Sequence, residues 1–271
     1  MRGILVAMLA GCYAPSVPEG APCTAHQECP TPLTCSHGLC VRHPSQDGAI
    51  DTTTCTPIAA GAGALTAPRV APLSIDGDLS DWPTCFITLD ATTAIQRDIT
   101  GLRDFSTGRF SVAHDATRFY IAAEVTGVPP LGDHAVPAIY QNDSISLYLD
   151  ADGVFTAAKY DVDAMQIVID HANRSQGFRS GQLAQADVVT ATRTTGSTFA
   201  IEIALTPSTL SAAAFAPTIG FDIGFESGDG VIQTSELVWF ERCGPPACGC
   251  TNGQTAPFCD ARQFGTAQLA P

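Results

Sequence analysis

The sequence predicts an all-β protein: an antiparallel β-sandwich with two sheets, of the jelly-roll or immunoglobulin-like kind, preceded by a small disulfide-rich segment and a linker. Two observations predict this fold. After about residue 69, short runs of alternating apolar and polar residues recur, and glycine-containing turns separate them. The chain also has 24 Gly and 19 Pro and no long amphipathic helical pattern, which is typical of turn-rich β proteins.

The first element is a signal peptide over residues 1–11. Arg2 precedes an apolar stretch, and Leu9-Ala10-Gly11-Cys12 resembles the lipobox of bacterial lipoprotein signal peptides. The resemblance implies cleavage before Cys12, a lipid on its thiol, and an extracytoplasmic lipoprotein of the outer membrane or cell surface. The alternative is an ordinary secretory signal with a chance cysteine. No apolar run reaches the roughly 18 residues that would span a bilayer, so we expect the lipid to be the only membrane attachment.

The cysteine count fits this interpretation. The chain has 11 Cys, an odd number, and lipidation of Cys12 leaves ten that can pair completely in an oxidising compartment. A zinc site is the rival interpretation near residue 250, but Cys-x-Cys is not the usual ligand spacing and no histidine stands close by. We therefore expect disulfides among Cys23, Cys29, Cys35, Cys40, Cys55, Cys85, Cys243, Cys248, Cys250 and Cys259.

Two segments separate the lipidated cysteine from the main domain. Residues 12–42 carry four closely spaced cysteines and few apolar residues, so cross-links must hold this module together. Its function is either recognition or spacing. Residues 43–68 have no hydrophobic period and are rich in Thr, Ala and Gly, which predicts a flexible linker. The sandwich then occupies residues 69–271.

Composition excludes several function classes. The formal net charge is −14 and Lys159 is the single lysine, so neither nucleic-acid binding nor a polybasic membrane patch is expected. The histidines show no ligand spacing and no Gly-x-Ser-x-Gly motif is present, so no catalytic motif supports an enzyme.

The sandwich pattern is clearest in four alternating runs. One face of each run is apolar and is expected to pack in the core, while the other face is polar or small. The apolar members are Phe110 and Val112; Ile145, Leu147 and Leu149; Phe199, Ile201, Ile203 and Leu205; and Ile219, Ile223 and Phe225 with Phe221.

Seven stretches of the chain resemble carbohydrate-binding module family 9 and its DOMON-like relatives. Ile75-Asp76-Gly77-Asp78-Leu79-Ser80-Asp81-Trp82 resembles the opening of that family. The other matches follow in order at residues 110–125, 140–150, 160–166, 203–210, 219–221 and 264–265. The resemblance implies a β-sandwich that binds sugars, often beside a glycoside hydrolase, with structural calcium in some members.

A sugar site needs an aromatic face for the pyranose ring and amides or carboxylates for its hydroxyls. Tyr140 stands where the family has its stacking Trp, directly before Gln141 and Asn142. Trp239 either faces the ligand or packs inside the sandwich, whereas Trp82 is expected in the core. Ser146 occupies the place of the family's hydroxyl-binding Glu, so the family's usual ligand does not carry over directly.

Acidic turns suggest calcium. Asp76, Asp78 and Asp81 place three carboxylates around one glycine turn, and calcium takes six to eight oxygen ligands. Asp150 and Asp152 repeat the pattern less fully at a strand end. The alternative is that Asp simply bonds its own backbone in turns. No other cofactor is expected.

The sequence therefore predicts a surface lipoprotein whose sandwich binds carbohydrate or polysaccharide without hydrolysing it. One alternative is an envelope or protein-interaction lipoprotein that uses the sandwich as a scaffold. Another is a haem b-binding relative of the same fold, for which Met165, His171 and Lys159 are the candidate ligands.

Overall fold

The chain divides into two units, residues 1–52 and residues 53–271. The computed structural model describes residues 62–82, 85–90, 92–96, 107–126, 130, 132–155, 160–179, 182–184, 187–241, 257 and 260–271, and the backbone alone of residues 33–36, 39–42 and 97–98. In this described part of the chain, no helix has the length and apolar character needed to cross a membrane.

The first unit contains an antiparallel hairpin of strands β1 (Leu33–Ser36) and β2 (Leu39–Arg42). Its register places Cys35 opposite Cys40 on the backbone. Of the other predicted cysteine sites, Cys85 lies within the described residues and is disulfide-bonded. The lipidation site Cys12, the signal peptide, most of the linker and the remaining cysteines lie outside the described residues: Cys23, Cys29, Cys55, Cys243, Cys248, Cys250 and Cys259.

The second unit is a sandwich of two sheets, as predicted. Strands are numbered in chain order. The five-stranded sheet has the order β12-β13-β7-β6-β4, and its strands are β4 (Ile87–Leu89), β6 (Thr107–His114), β7 (Phe119–Thr126), β12 (Val188–Thr195) and β13 (Thr198–Leu205). All its pairings are antiparallel.

The nine-stranded sheet has the order β11-β10-β9-β8-β14-β15-β5, and β16 pairs with both β14 and β3. Its strands are β3 (Ala64–Ala67), β5 (Ile95–Asp98), β8 (Ser144–Asp150), β9 (Ala164–Asp170), β10 (Ser175–Arg179), β11 (Gln182–Ala184), β14 (Thr218–Gly228), β15 (Gln233–Val238) and β16 (Gly265–Leu269). The β3–β16 pair is parallel, which the antiparallel prediction did not include.

The core lies between the two sheets and contains the apolar faces predicted from the alternating runs. Phe110, Ile145, Ile201 and Phe221 are all fully buried there, one from each run. The opposite, outer face of the nine-stranded sheet carries the polar or small members of β8, β9 and β14. This outer face is the surface on which the predicted sugar site lies.

The linker ends earlier than residue 68. Ala64–Ala67 form β3, and Leu65 and Ala67 are buried in the core. Thr266 donates its backbone N–H to the carbonyl of Gly63 at 2.9 Å, so this segment belongs to the sheet. The Ala- and Gly-rich composition did not predict a strand here. The strand depends on pairing with β16, which is distant in the sequence.

Candidate functional site

Tyr140 lies in a short 3-10 turn, Ile139–Gln141, that packs against the outer face of the nine-stranded sheet. Its side chain is half-buried, and its ring meets the Phe178 ring edge-on at 6.4 Å between centroids. Gln141 is also half-buried, and its Nε2 donates to the Tyr140 hydroxyl at 3.5 Å. An aromatic ring and an amide are therefore both accessible at this position.

Asn142 holds this turn in place and is fully buried. Its Nδ2 donates to the His134 carbonyl at 3.0 Å and to Asp170 Oδ2 at 2.9 Å, and its Oδ1 accepts the His134 N–H at 2.9 Å. Arg174 Nε also donates to Asp170 Oδ2, at 2.7 Å. Asn142 was predicted to contact sugar, and the structure corrects this: its side chain is committed to positioning the Tyr140 turn.

A polar network lies next to Tyr140 on the same face. Gln166, which is 9 % exposed, is the backbone partner of Phe178, and its Nε2 donates to Ser146 Oγ at 3.2 Å. Ser146 Oγ in turn donates to Glu226 Oε1, and Ser144 Oγ donates to Glu226 Oε2 at 3.3 Å. Glu226 of the neighbouring strand β14 thus places a buried carboxyl group against Ser146.

Glu226 and Glu236 are direct cross-strand partners on this outer face, and both are buried. Burial and the nearby carboxylate of Glu236 raise the pKa of Glu226 to about 8, against the opposing effect of the two serine hydroxyls. The Tyr148 hydroxyl donates to Glu236 Oε1 at 2.9 Å, which extends the network along the sheet.

Phe178 and Leu183 continue the accessible apolar surface toward the edge of the sheet. Their backbones pair across β10 and β11, so the two side chains share a face; Phe178 is half-buried and Leu183 is 54 % exposed. The sequence analysis did not include either residue. The alternation in Gln176-Gly177-Phe178 is too short to reveal which face an aromatic ring takes, so only the pairing with β9 places it beside Tyr140.

A second cluster lies at the end of β8, where Asp150, Asp152 and Asp163 each place a carboxylate oxygen within 4.8 Å of the others. Asp150 Oδ1 accepts backbone N–H groups of Asp152 and Gly153, at 3.2 and 2.9 Å. Among the described residues, Asp150 Oδ2 is buried with no hydrogen-bond partner. Burial, followed by the neighbouring Asp152 and Asp161 carboxyls, raises the pKa of Asp150 to about 7. Several oxygens around one unpartnered buried oxygen fit a hard divalent cation such as calcium.

The comparison with protein families decides the identity of this unit. The family model described as "Carbohydrate family 9 binding domain-like" matches residues 75–271. The chain belongs to this family. The match begins at the Ile75–Trp82 stretch from which the resemblance was first inferred, and it covers nearly all of the sandwich.

Two solved structures share the fold of the family 9-like domain. Both are a carbohydrate binding module family 9 from Caldicellulosiruptor kristjanssonii, one in complex with cellotriose and one with glucose. The first is 17 % identical, covers 76 % of this chain and 93 % of its own, and has a TM-score of 0.53. The second is also 17 % identical, covers 76 % and 95 %, and has a TM-score of 0.52. A comparison with curated proteins gives no match.

Trp239 lies in the core of the family 9-like domain. It is fully buried, and its ring lies 5.8 Å from Phe110, 5.9 Å from Phe221 and 6.1 Å from Phe240, measured between centroids. The prediction that Trp239 binds sugar is therefore corrected, and the alternative that it packs inside the sandwich is the one observed. Alternation at the end of β15 could not decide between the two faces.

The structure does not bring Asp76, Asp78 and Asp81 together as a metal cluster, although all three are described. Asp76 Oδ1 accepts the Asp78 N–H at 2.9 Å, and Asp78 Oδ1 accepts the Ser80 N–H at 3.1 Å. The carboxylates of Asp76 and Asp78 thus bond the backbone of their own turn, which was the alternative interpretation. The Asp150 cluster is the better candidate for calcium, because Asp163, which directly precedes β9, adds a third carboxylate there.

Trp82 is 4 % exposed, as expected for a packing residue, and lies in a smaller cluster on the outer face of the five-stranded sheet.

The haem alternative is not supported by geometry. Met165 is 1 % exposed and faces the core, and His171 Nε2 lies 3.1 Å from the Gly132 carbonyl. Lys159 lies outside the described residues.

Proposed function

We propose that the family 9-like domain binds carbohydrate without hydrolysing it, on the outer face of the nine-stranded sheet. The observation that carries this proposal is the half-buried Tyr140 ring, which lies edge-on to Phe178, whose backbone partner on the next strand is Gln166. A pyranose ring would stack on Tyr140, and the amides of Gln141 and Gln166 would bond its hydroxyls. The two solved relatives, in complexes with cellotriose and glucose, support this ligand class.

The buried network gives the proposed site a fixed floor. Ser146 Oγ accepts a hydrogen bond from Gln166 Nε2 and donates one to Glu226, so the Gln166 amide has one favoured orientation. A preorganised polar group loses less entropy on binding than a free one. Phe178 and Leu183 extend the apolar strip beyond Tyr140, which favours a ligand chain over a single sugar.

Replacing Tyr140 with alanine is expected to weaken binding of cellotriose by about 5- to 30-fold, since loss of one stacking ring costs about 1–2 kcal/mol. Tyr140→Phe keeps the ring and is the matched control, with affinity close to wild type. Titration calorimetry and polysaccharide retention, each with and without calcium, measure the effect. Unchanged affinity in Tyr140→Ala would refute this site, and no retained glucan, xylan or chitin would favour the scaffold interpretation instead.

We further propose that Cys12 carries lipid and holds the protein on the outer side of a membrane, in the outer membrane or at the cell surface. The disulfide at Cys85 supports an oxidising compartment. Expressed in a bacterium, the wild-type chain is expected in the membrane fraction and the Cys12→Ser variant in the soluble fraction. Equal membrane association of the two proteins, measured by detergent partitioning, would overturn the anchor.

Asp150, Asp152 and Asp163 are proposed to hold a structural calcium ion. The Ala151 N–H donates to the Asp163 carbonyl at 3.2 Å, so the two loops that supply the carboxylates already meet. Calcium would neutralise three like charges and is expected to raise the unfolding temperature, as any ligand of the native state does. Scanning calorimetry with calcium or chelator tests this, with Asp163→Asn as the variant and the surface Asp133→Asn as its control. An unfolding temperature that does not respond to calcium would exclude the site.

A further inference from the structure

The opposite side of the sandwich contains a cavity of about 330 Å³ on the outer face of the five-stranded sheet. One wall is the loop of residues 77–80, and strands β6, β7, β12 and β13 form the rest. Arg109, Glu124, Ala200 and Arg193 lie side by side across these strands in one row of the register. The cavity is on the other sheet from Tyr140 and shares no residue with the proposed site.

The charges in the cavity are balanced and partly fixed. Arg109 Nε donates to Glu124 Oε1 at 2.8 Å, and its guanidinium lies 4.6 Å from the centre of the Phe86 ring. Arg193 Nη1 lies 3.5 Å from Asp78 Oδ2, and these two side chains are 63 % and 50 % exposed. Two donors and two acceptors of full charge thus line one space, with no net charge.

A row of threonines borders the charged row at the end of the same face. Thr107, Thr126, Thr198 and Thr195 are successive partners across β6, β7, β13 and β12. Their spacing is that of the strands, about 4.8 Å. The Thr126 and Thr198 hydroxyls are 3.2 Å apart and hydrogen-bonded. The row presents hydroxyl groups that can both donate and accept.

The cavity is preformed. Its floor is Ala200, which is 8 % exposed and too small to fill the space above it. Its wall is anchored because Glu202 Oε2 accepts the backbone N–H groups of Asp76 and Gly77, at 2.7 and 2.5 Å. A ligand would therefore not need to open the wall before it binds.

We propose that this cavity is a second carbohydrate-binding site, which takes a neutral saccharide through its hydroxyls. Each sugar hydroxyl donates and accepts, which matches alternating guanidinium, carboxylate and hydroxyl groups. An anionic ligand is disfavoured because the cavity has no net charge and the chain as a whole carries −14. No aromatic ring is among the described residues that line the cavity, so we expect recognition by the edge of the sugar and not by stacking.

This second site does not depend on the Tyr140 site, since either face of the sandwich can bind a saccharide without the other. If both do, one domain holds two saccharide chains on opposite sides of the sandwich, and binding to a network of chains gains from two attachments.

The test is an amide-shift NMR titration with cellotriose, xylotriose and chitotriose at millimolar concentration. In wild type and in Tyr140→Ala, at least one trisaccharide is expected to shift the amides of Thr195, Thr198 and Ala200 saturably. Ala200→Leu places a larger side chain in the cavity and is expected to abolish those shifts. Arg193→Ala is expected to raise the Kd obtained from those shifts about tenfold. Val189→Leu, at an exposed position of the same face outside the cavity, is the control and is expected to leave them unchanged.

The positions of the shifted amides show which of the two proposed sites binds a saccharide. Shifts confined to the Tyr140 face, or shifts at Thr195 and Thr198 that survive Ala200→Leu, overturn the second site and leave the first. Shifts at the cavity alone overturn the Tyr140 site and support the second. The absence of shifts on both faces overturns both. Arg193→Ala, which changes an exposed side chain, keeps the test decisive if Ala200→Leu does not fold.

Discussion

Replacing Glu202 with alanine is expected to lower the free energy of unfolding by about 3–5 kcal/mol, because it removes a buried carboxylate that accepts hydrogen bonds from three donors. Glu202 is fully buried. Its Oε1 accepts the Trp82 indole N–H at 2.5 Å, and its Oε2 accepts the backbone N–H groups of Asp76 and Gly77. The carboxylate therefore fastens the Asp76–Trp82 stretch to the five-stranded sheet.

The matched control is Glu202→Gln, which keeps one acceptor oxygen in a side chain of the same shape. We expect it to lose about half as much stability as the alanine variant, since one donor group must then remain unsatisfied. Urea denaturation followed by tryptophan fluorescence measures both, because Trp82 is one of the reporters. If the free energy of unfolding of Glu202→Ala fell by less than about 1 kcal/mol, water would replace the carboxylate. Glu202 would then not be what fastens the Asp76–Trp82 stretch to the sheet.

The second large effect is expected at Trp239, where Trp239→Ala should cost about 3–5 kcal/mol, as for other buried aromatic residues truncated to alanine. The ring is fully buried against Phe110 and Phe221, and a side chain on Gly265 would come within 2.8 Å of it.

Trp239→Phe separates packing from ligand binding. Within the described part of the chain, the indole N–H of Trp239 is buried with no hydrogen-bond partner, so phenylalanine removes no hydrogen bond seen there and should cost much less than alanine. Sugar affinity in Trp239→Phe is expected to equal wild type, because the ring is not accessible. Denaturation gives the stability and calorimetry the affinity. A tenfold loss of affinity at unchanged stability would return Trp239 to the ligand site.

The sandwich itself could be predicted because its long strands alternate locally. Phe110, Ile145, Ile201 and Phe221 each stand in a run whose period of two is visible without knowledge of the neighbours, and all four are in the core. The strand Ala64–Ala67 could not be predicted in the same way. Its four residues carry little hydrophobic contrast, and its structure depends on pairing with β16.

The site was predicted in part for a similar reason. The order of motifs identified Tyr140 and the absence of a carboxylate at Ser146, both of which are local facts. That Glu226 occupies the space beside Ser146 depends on which strands are neighbours, and period two shows only that Glu226 points away from the core. Asn142, Asp163 and Trp239 were misjudged or missed because their roles are set by partners on other strands.

The parallel pairing of β3 with β16 has a consequence in time. Gly63 and Thr266, which are hydrogen-bonded at this edge, are 203 residues apart. At a synthesis rate of 5–20 residues per second, the time between the synthesis of β3 and that of β16 is about 10–40 s. During that interval the backbone groups of β3 that pair with β16 have no strand to bond, since β16 is the last strand of the sheet to be made.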